Sequence, residues 1–167
     1  GFANPHSMHR PGRAAAAAVE VAREQVAALL PKGGRVIFTS GATEALNQAV
    51  RSVPRGKIAY SAIEHSALVN AAVATGADLQ ELPVGPAGLV DPEVELAEGT
   101  GLVAVMQVNN EIGTIQPVER LAERAHEIGA LFLCDAVQGA GKLAPPEGAD
   151  LIAITAHKLY GPKGIGA

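Results

Sequence analysis

The apolar residues of this chain come in short blocks whose spacing changes from block to block. Residues 13–30, RAAAAAVEVAREQVAALL, consist largely of strong helix formers, and Pro31 with the Gly33–Gly34 pair stops them. RVIFTSG then predicts a short buried strand over 35–39. ATEALNQAVRSV predicts a helix opening directly after Gly41, KIAYS a strand, and SALVNAAVATG a helix closed by Gly76. DLQELPV reads as a weaker strand at a sheet edge. Residues 101–108, GLVAVMQV, form an unbroken apolar run of the kind buried on both faces. In PVERLAERAHEIG, Pro117 suits a first helical turn, Val118, Leu121, Ala122 and Ala125 share one face, and Gly129 ends the helix. ALFLCD and ADLIAIT predict two further strands. The stretch 85–101 is the most loop-like, with Asp91–Pro92 placed to open a short helix.

Strands alternating with helices from end to end predict an α/β fold, a mostly parallel sheet sandwiched by helices. No repeat and no linker divides the chain. In such sheets ligands collect where strands end and helices begin. The polar residues at those junctions are therefore the candidates for chemistry.

Composition narrows the class. Hydrophobic residues make up 48% and charged residues 18% of the 167, as in a globular fold rather than a disordered one. Aromatic residues are only 3% while alanine and glycine are abundant, so helices can sit close on a sheet. A formal net charge of -4 with no basic block argues against nucleic-acid binding. No apolar run approaches the roughly 20 residues of a membrane-spanning helix, and the first residues lack the pattern of a signal peptide. One cysteine, Cys134, excludes an internal disulfide and suits a reducing, cytoplasmic location.

Five junctions stand out. In TSGATE, a glycine turn opens a helix whose free N–H groups and Thr43 hydroxyl offer an anion site, or else an ordinary Ser/Thr cap. It is not the phosphate-loop pattern, which needs a lysine after the second glycine. In SAIEHSAL, His65 can stack on a flat ligand or move protons, or simply cap a helix at the surface. In VNNEIG, Asn109, Asn110 and Glu111 follow a buried strand and exceed what a turn needs. In LFLCDAVQG, Asp135 ends an apolar strand and calls for a cationic partner, with Gln138 three residues on. Its spacing with His65 and His157 matches no standard metal set. Cys134 points to the other side of a regular strand and reads as structural. In ITAHKLYGPKG, Thr155, His157 and Lys158 leave the last strand together. A lysine partly withdrawn from water there is a nucleophile towards an aldehyde. Gly161 and Pro162 stiffen the following turn, and Lys163 is the competing, more exposed amine.

TSGATEALN, EHSAL, VNNEIGTIQP, CDAVQGAGK and HKLYGPKGIGA, taken in this order, resemble the cysteine desulfurases of the class V aminotransferase group, the NifS- and IscS-like enzymes. The resemblance extends over essentially the whole chain. It implies pyridoxal 5'-phosphate as cofactor and the large domain of the type I fold, here a single partial cofactor-binding domain over 1–167 with the smaller C-terminal domain absent. Lys158 would carry the cofactor as a Schiff base and later take the substrate's α-proton. His65 would stack on the ring, and Asp135 would pair with its protonated nitrogen. Gln138 and Asn110 would meet the phenolic oxygen. Ala42 (through its backbone), Thr43, Thr155 and His157 would hold the phosphate. The resemblance further implies L-cysteine as substrate, L-alanine and a persulfide as products, a homodimer, and a sulfur-acceptor or scaffold protein in iron–sulfur cluster or thio-cofactor assembly.

In that family the persulfide-forming cysteine and a substrate-binding arginine come well after the lysine, beyond the residues present here. Cys134 does not replace the former. The chain alone is therefore expected to capture the cofactor without making persulfide, and to be marginally stable or associated. A selenocysteine lyase or another class V enzyme shares these motifs. A non-catalytic remnant serving as a binding or dimerisation module is the reading from a different class, and a nucleotide-binding domain lacks its glycine fingerprint.

Overall fold

Pro11 opens the first helix of the computed structural model, which describes residues 3–53 and 56–167. Helix α1 (Arg10–Ala27) starts ahead of the expected residue 13 because His9 caps it. The His9 Nδ1 accepts the Gly12 N–H at 3.0 Å, and Pro11 lies where no N–H is needed. The helix ends at Ala27, short of Pro31. It belongs to a unit of its own, residues 1–37, in which Arg23 reaches both Glu20 and the Val36 carbonyl.

The strand expected over 35–39 does not form. Val36 is buried, but Ile37 is 60% exposed, and Thr39 makes a single antiparallel bridge with Gly166. A strand is held by its ladder, and one bridge does not extend a ladder back through Arg35.

Residues 38–167 form the second unit. Among the described residues its five strands are β1 (Lys57–Ser61), β2 (Leu79–Leu82), β3 (Thr100–Ala104), β4 (Leu131–Asp135) and β5 (Leu151–Ala153). All pair in parallel, in the order β2-β1-β3-β4-β5. The weak strand DLQELPV is indeed the edge. Ile58, Tyr60, Leu102, Ala104, Leu133 and Ala153 share one face and pack against helices α2 (Ala42–Ser52) and α3 (Ser66–Val73) through Leu46, Val50, Leu68, Ala71 and Ala72. The many alanines at this seam let the helices lie close. Burial of each large side chain contributes about 1.5–3 kcal/mol.

On the opposite face Val103, Phe132 and Cys134 are also fully buried. Helix α4 (Val118–Glu127) packs against β4 and β3 and buries Val118, Leu121, Ala122 and Ala125, the four positions the 3.6-residue spacing picks out. The fold is thus the α/β sandwich expected.

The short helix expected after Asp91–Pro92 is a single turn. Asp91 caps it through the Glu93 N–H, but the next residues are held along the sheet edge instead. The Gln80 side chain donates to the Glu95 carbonyl and accepts from the Ala97 N–H. These bonds to β2 win over helix propagation.

Because the strands are parallel, Ser61, Ala104, Asp135 and Ala153 all end at one edge. From β1 the chain first moves to β2, then returns past β1 to build β3, β4 and β5 on the other side. The reversal lies between β1 and β3, and a crevice opens there above the strand ends. Residues 165–167 run antiparallel between Thr39 and residues 154–156, with five backbone bonds of 2.8–3.2 Å donated by Thr39, Gly166, Ile154, Ala156 and Ala167. Gly166 is required by this close passage, since a Cβ there would lie 2.7 Å from the Gly41 backbone and from the Ile154 carbonyl.

Candidate cofactor site

A cavity of about 420 Å³ occupies that crevice. It brings together all nine residues expected from the sequence: Ala42, Thr43, His65, Asn110, Asp135, Gln138, Thr155, His157 and Lys158 all line it. They come from five separate chain segments, so the grouping is a product of the fold and not of sequence proximity.

At one part of the cavity stands the N-terminus of α2. Gly41 is the N-cap, at φ 157 and ψ 174, a conformation almost confined to glycine, and it supplies no side-chain cap. Ser40 is tied down instead. Its N–H and hydroxyl both reach Glu44 Oε2, at 2.7 and 2.5 Å. The N–H groups of the first turn, at Ala42 and Thr43, stay available with the positive end of the helix dipole behind them. Thr155 flanks this turn: its hydroxyl lies 3.8 Å from where a Gly41 Cβ would be, and 3.1 Å from His157 Nδ1. Two hydroxyls, an imidazole and a helix N-terminus form a donor set suited to a phosphate.

Asp135 supplies the opposite charge. It is 5% exposed, and its Oδ1 accepts the Val137 N–H at 3.0 Å. Burial pushes its carboxyl above the ordinary range; the Val137 bond and the nearby His65 pull it back in part. Among the described residues no lysine or arginine nitrogen lies within 4.0 Å of it. A buried carboxylate of this kind calls for a cationic hydrogen-bond donor, which a protonated ring nitrogen provides.

His65 is exposed and caps α3, its Nδ1 accepting the Ala67 N–H at 3.1 Å. Both readings of this histidine therefore hold together, because capping fixes the ring beside the cavity. The accepting Nδ1 leaves the hydrogen of the neutral ring on Nε2. The paired asparagines divide their work. Asn109 is buried and structural: its amide donates to the Ile63 carbonyl, and its Oδ1 accepts from the Glu111 and Ile112 N–H groups. Asn110 faces the cavity, and Glu111 does not line it.

Two expectations need correction. Lys158 is not withdrawn from water; it is exposed, at the end of a 3-10 turn (Ala156–Lys158). Lys163 is exposed as well and lines the same cavity, so exposure does not separate the two amines. The unusual backbone of the YGPKG turn also falls elsewhere than expected. Tyr160, at φ 61, and Gly164, at φ 85, are the left-handed residues of this turn. Gly161 is needed for a close approach instead, since a Cβ there would sit 3.0 Å from Ala156.

Sequence reasoning missed Met106, Val137, Leu46 and Glu44 as lining residues. Glu44 could have been found, because a glutamate three residues after a cap position is a capping signal. Cys134 is fully buried and lies on the α4 side of β4, with its thiol pushed well up by burial.

Fold and cavity together define an open parallel α/β domain with a polar ligand crevice at its switch point. The chain belongs to the class-V aminotransferase family, whose profile matches residues 1–167. It is 41% identical over 182 residues to the cysteine desulfurase IscS of Dictyoglomus turgidum, a match covering 99% of this chain and 46% of that protein. It is 43% identical over 187 residues to the mitosomal cysteine desulfurase of Encephalitozoon cuniculi, covering 99% of this chain and 43% of that protein. Among solved structures, SspA in complex with cysteine superposes with a TM-score of 0.88 at 34% identity, covering 99% of this chain and 52% of that one. The chain thus spans about half the length of the relatives it matches. Among the described residues no helix is long and apolar enough to cross a membrane.

Proposed function

We propose that this chain is the cofactor-binding half of a pyridoxal 5'-phosphate-dependent cysteine desulfurase, acting on L-cysteine. The observation that carries the reading is the single cavity lined by an anion-binding helix N-terminus, a buried carboxylate and two amines. The names of the similar proteins give it direction.

The residues fit the cofactor. Thr43, Thr155, His157 and the Ala42 N–H would hold its phosphate. Asp135 would accept from its ring nitrogen, and His65 would cover its ring. When bound, the cofactor supplies an electron sink for charge developing at the substrate α-carbon. The chain's own contribution is positional and electrostatic. Asp135 keeps a negative charge where a ring proton must stay. Lys158 lines the cavity, where its amine would meet the cofactor's aldehyde and would serve as a base towards the substrate. Asn110 and Gln138 would orient the polar edge of the ligand.

Persulfide chemistry needs an accessible thiolate. Cys134, the one cysteine in the sequence, is fully buried. The chain alone is therefore expected to bind the cofactor and to release no alanine or sulfide from L-cysteine. In the whole protein we place the site in a homodimer that passes sulfur to an acceptor or scaffold protein, in the cytoplasm.

The test is equilibrium dialysis and visible absorption of this chain with pyridoxal 5'-phosphate. One saturable site with a new visible band supports the reading. Binding no tighter than to an unrelated lysine-containing protein contradicts it.

A further inference from the structure

Glu64 precedes His65, and none of the roles above uses it. Its carboxyl lies between the ends of β1 and β3. Oε1 accepts twice, from the Ser61 hydroxyl at the end of β1 and from the Met106 N–H just past β3, the latter at 2.7 Å. Oε2 is buried and has no hydrogen-bond partner among the described residues. Among those residues no lysine or arginine nitrogen lies within 4.0 Å of it.

The titratable groups around it offer no compensation. From β4 come Asp135 and Cys134, both acids, and each is electrostatically coupled to Glu64. From its own loop comes His65, whose Nδ1 is engaged in capping α3. An ionised Glu64 would thus bury a charged oxygen without a partner, next to a second carboxyl.

We propose that Glu64 is a positioning residue that works as the neutral acid: it keeps its proton on Oε2 at neutral pH, clamps the ends of β1 and β3 beneath His65 through Oε1, and leaves Asp135 to carry the negative charge at this end of the cavity. The division follows from geometry. Asp135 has the Val137 N–H and faces the cavity, where a cation or water can meet it, whereas the second oxygen of Glu64 meets nothing. Burial is the main cause that pushes the Glu64 carboxyl up to about 8, against the pull of the Ser61 and Met106 bonds, and Asp135 adds to the rise.

The folded-state value lies above the ordinary 4.5, so the stabilisation is complete below about pH 4.5 and is lost as the pH rises towards about 8. The inference does not depend on pyridoxal phosphate, and its test is run without it, so it can fail while the cofactor reading stands. Thermal unfolding midpoints of this chain and of Glu64→Gln are measured from about pH 5 to about pH 9. Glutamine is neutral and keeps the Oε1 acceptor. The wild-type midpoint is expected to fall more steeply with pH than that of the variant, which should equal or exceed wild type at the alkaline end. Parallel profiles, or a variant that loses stability equally at all pH values, overturn the proposal. Should Glu64→Gln not fold, infrared spectra of the unaltered chain with 13C-labelled glutamate decide. A protonated-carboxyl band that persists at about pH 7 supports the proposal, and its absence there overturns it.

Discussion

Asp135→Asn separates what the buried carboxylate does for the ligand from what it costs the fold. Asparagine has nearly the same shape, and its Oδ1 still accepts the Val137 N–H held at 3.0 Å. What disappears is a charge that burial disfavours at a residue 5% exposed. Without ligand, the variant should therefore be more stable than wild type at neutral pH, by about 1 kcal/mol. The gain should shrink as the pH is lowered. A carboxyl whose folded value is raised loses its stabilisation as pH rises, so the wild-type penalty is confined to the range where Asp135 ionises. With ligand the sign reverses. A charge-assisted hydrogen bond contributes about 1.5–3 kcal/mol. Asparagine also turns a donor towards a donor. Together these weaken pyridoxal 5'-phosphate binding by about 3 kcal/mol, about 100-fold. Scanning calorimetry of the free chain and equilibrium dialysis with the cofactor read the two effects separately. A variant that binds the cofactor as tightly as wild type, or that melts lower without it, refutes the reasoning.

Gly166→Ala should disturb the site from outside it. The added Cβ would lie 2.7 Å from the Gly41 backbone, so the turn that opens α2 must shift; cofactor affinity should fall at least 10-fold, read by the same dialysis, with about 2 kcal/mol lost in urea unfolding. Leu102→Ala removes a fully buried side chain from the central strand and the α2–α3 face of the core. It should cost about 3 kcal/mol in urea unfolding, and a loss below about 1 kcal/mol would mean that this face is not packed as described.

Much of this fold was legible because local signals and tertiary demands agree. In α4 the residues Val118, Leu121, Ala122 and Ala125 repeat at helical spacing, and all four are buried. The runs around Val103 and Leu133 carry strands buried on both faces, as unbroken apolar stretches should. Where the sequence misled, non-local hydrogen bonding decided. RVIFT has the composition of a strand, yet its one bridge is from Thr39 to Gly166, more than a hundred residues away in the chain. Asp91–Pro92 has a helix-opening sequence, yet the Gln80 side chain binds the backbone of Glu95 and Ala97 and no helix follows.

The site was legible by position because parallel strands deliver their ends to one edge. His65, Asn110 and Lys158 each follow a strand and Asp135 ends one, and the sheet order gathers them. Burial was the part that sequence did not carry. Lys158 was expected to be shielded and is exposed, in a 3-10 turn past the end of the sheet. Glu64 looked like one more loop acid and is instead enclosed between Ser61 and Met106. The work of the two asparagines became separable only when Asn109 was seen to close its own turn.

The account stands or falls on which amine meets the cofactor aldehyde. Two lysines line the cavity, and Lys158 closes the turn that follows β5, close in the chain to Thr155 and His157. The chain is incubated with pyridoxal 5'-phosphate, reduced with borohydride, digested and mapped by mass spectrometry, alongside Lys158→Ala and Lys163→Ala. The account predicts a pyridoxyl adduct on Lys158, retained in Lys163→Ala and lost in Lys158→Ala. An adduct concentrated on Lys163, or spread evenly over surface lysines, would contradict it.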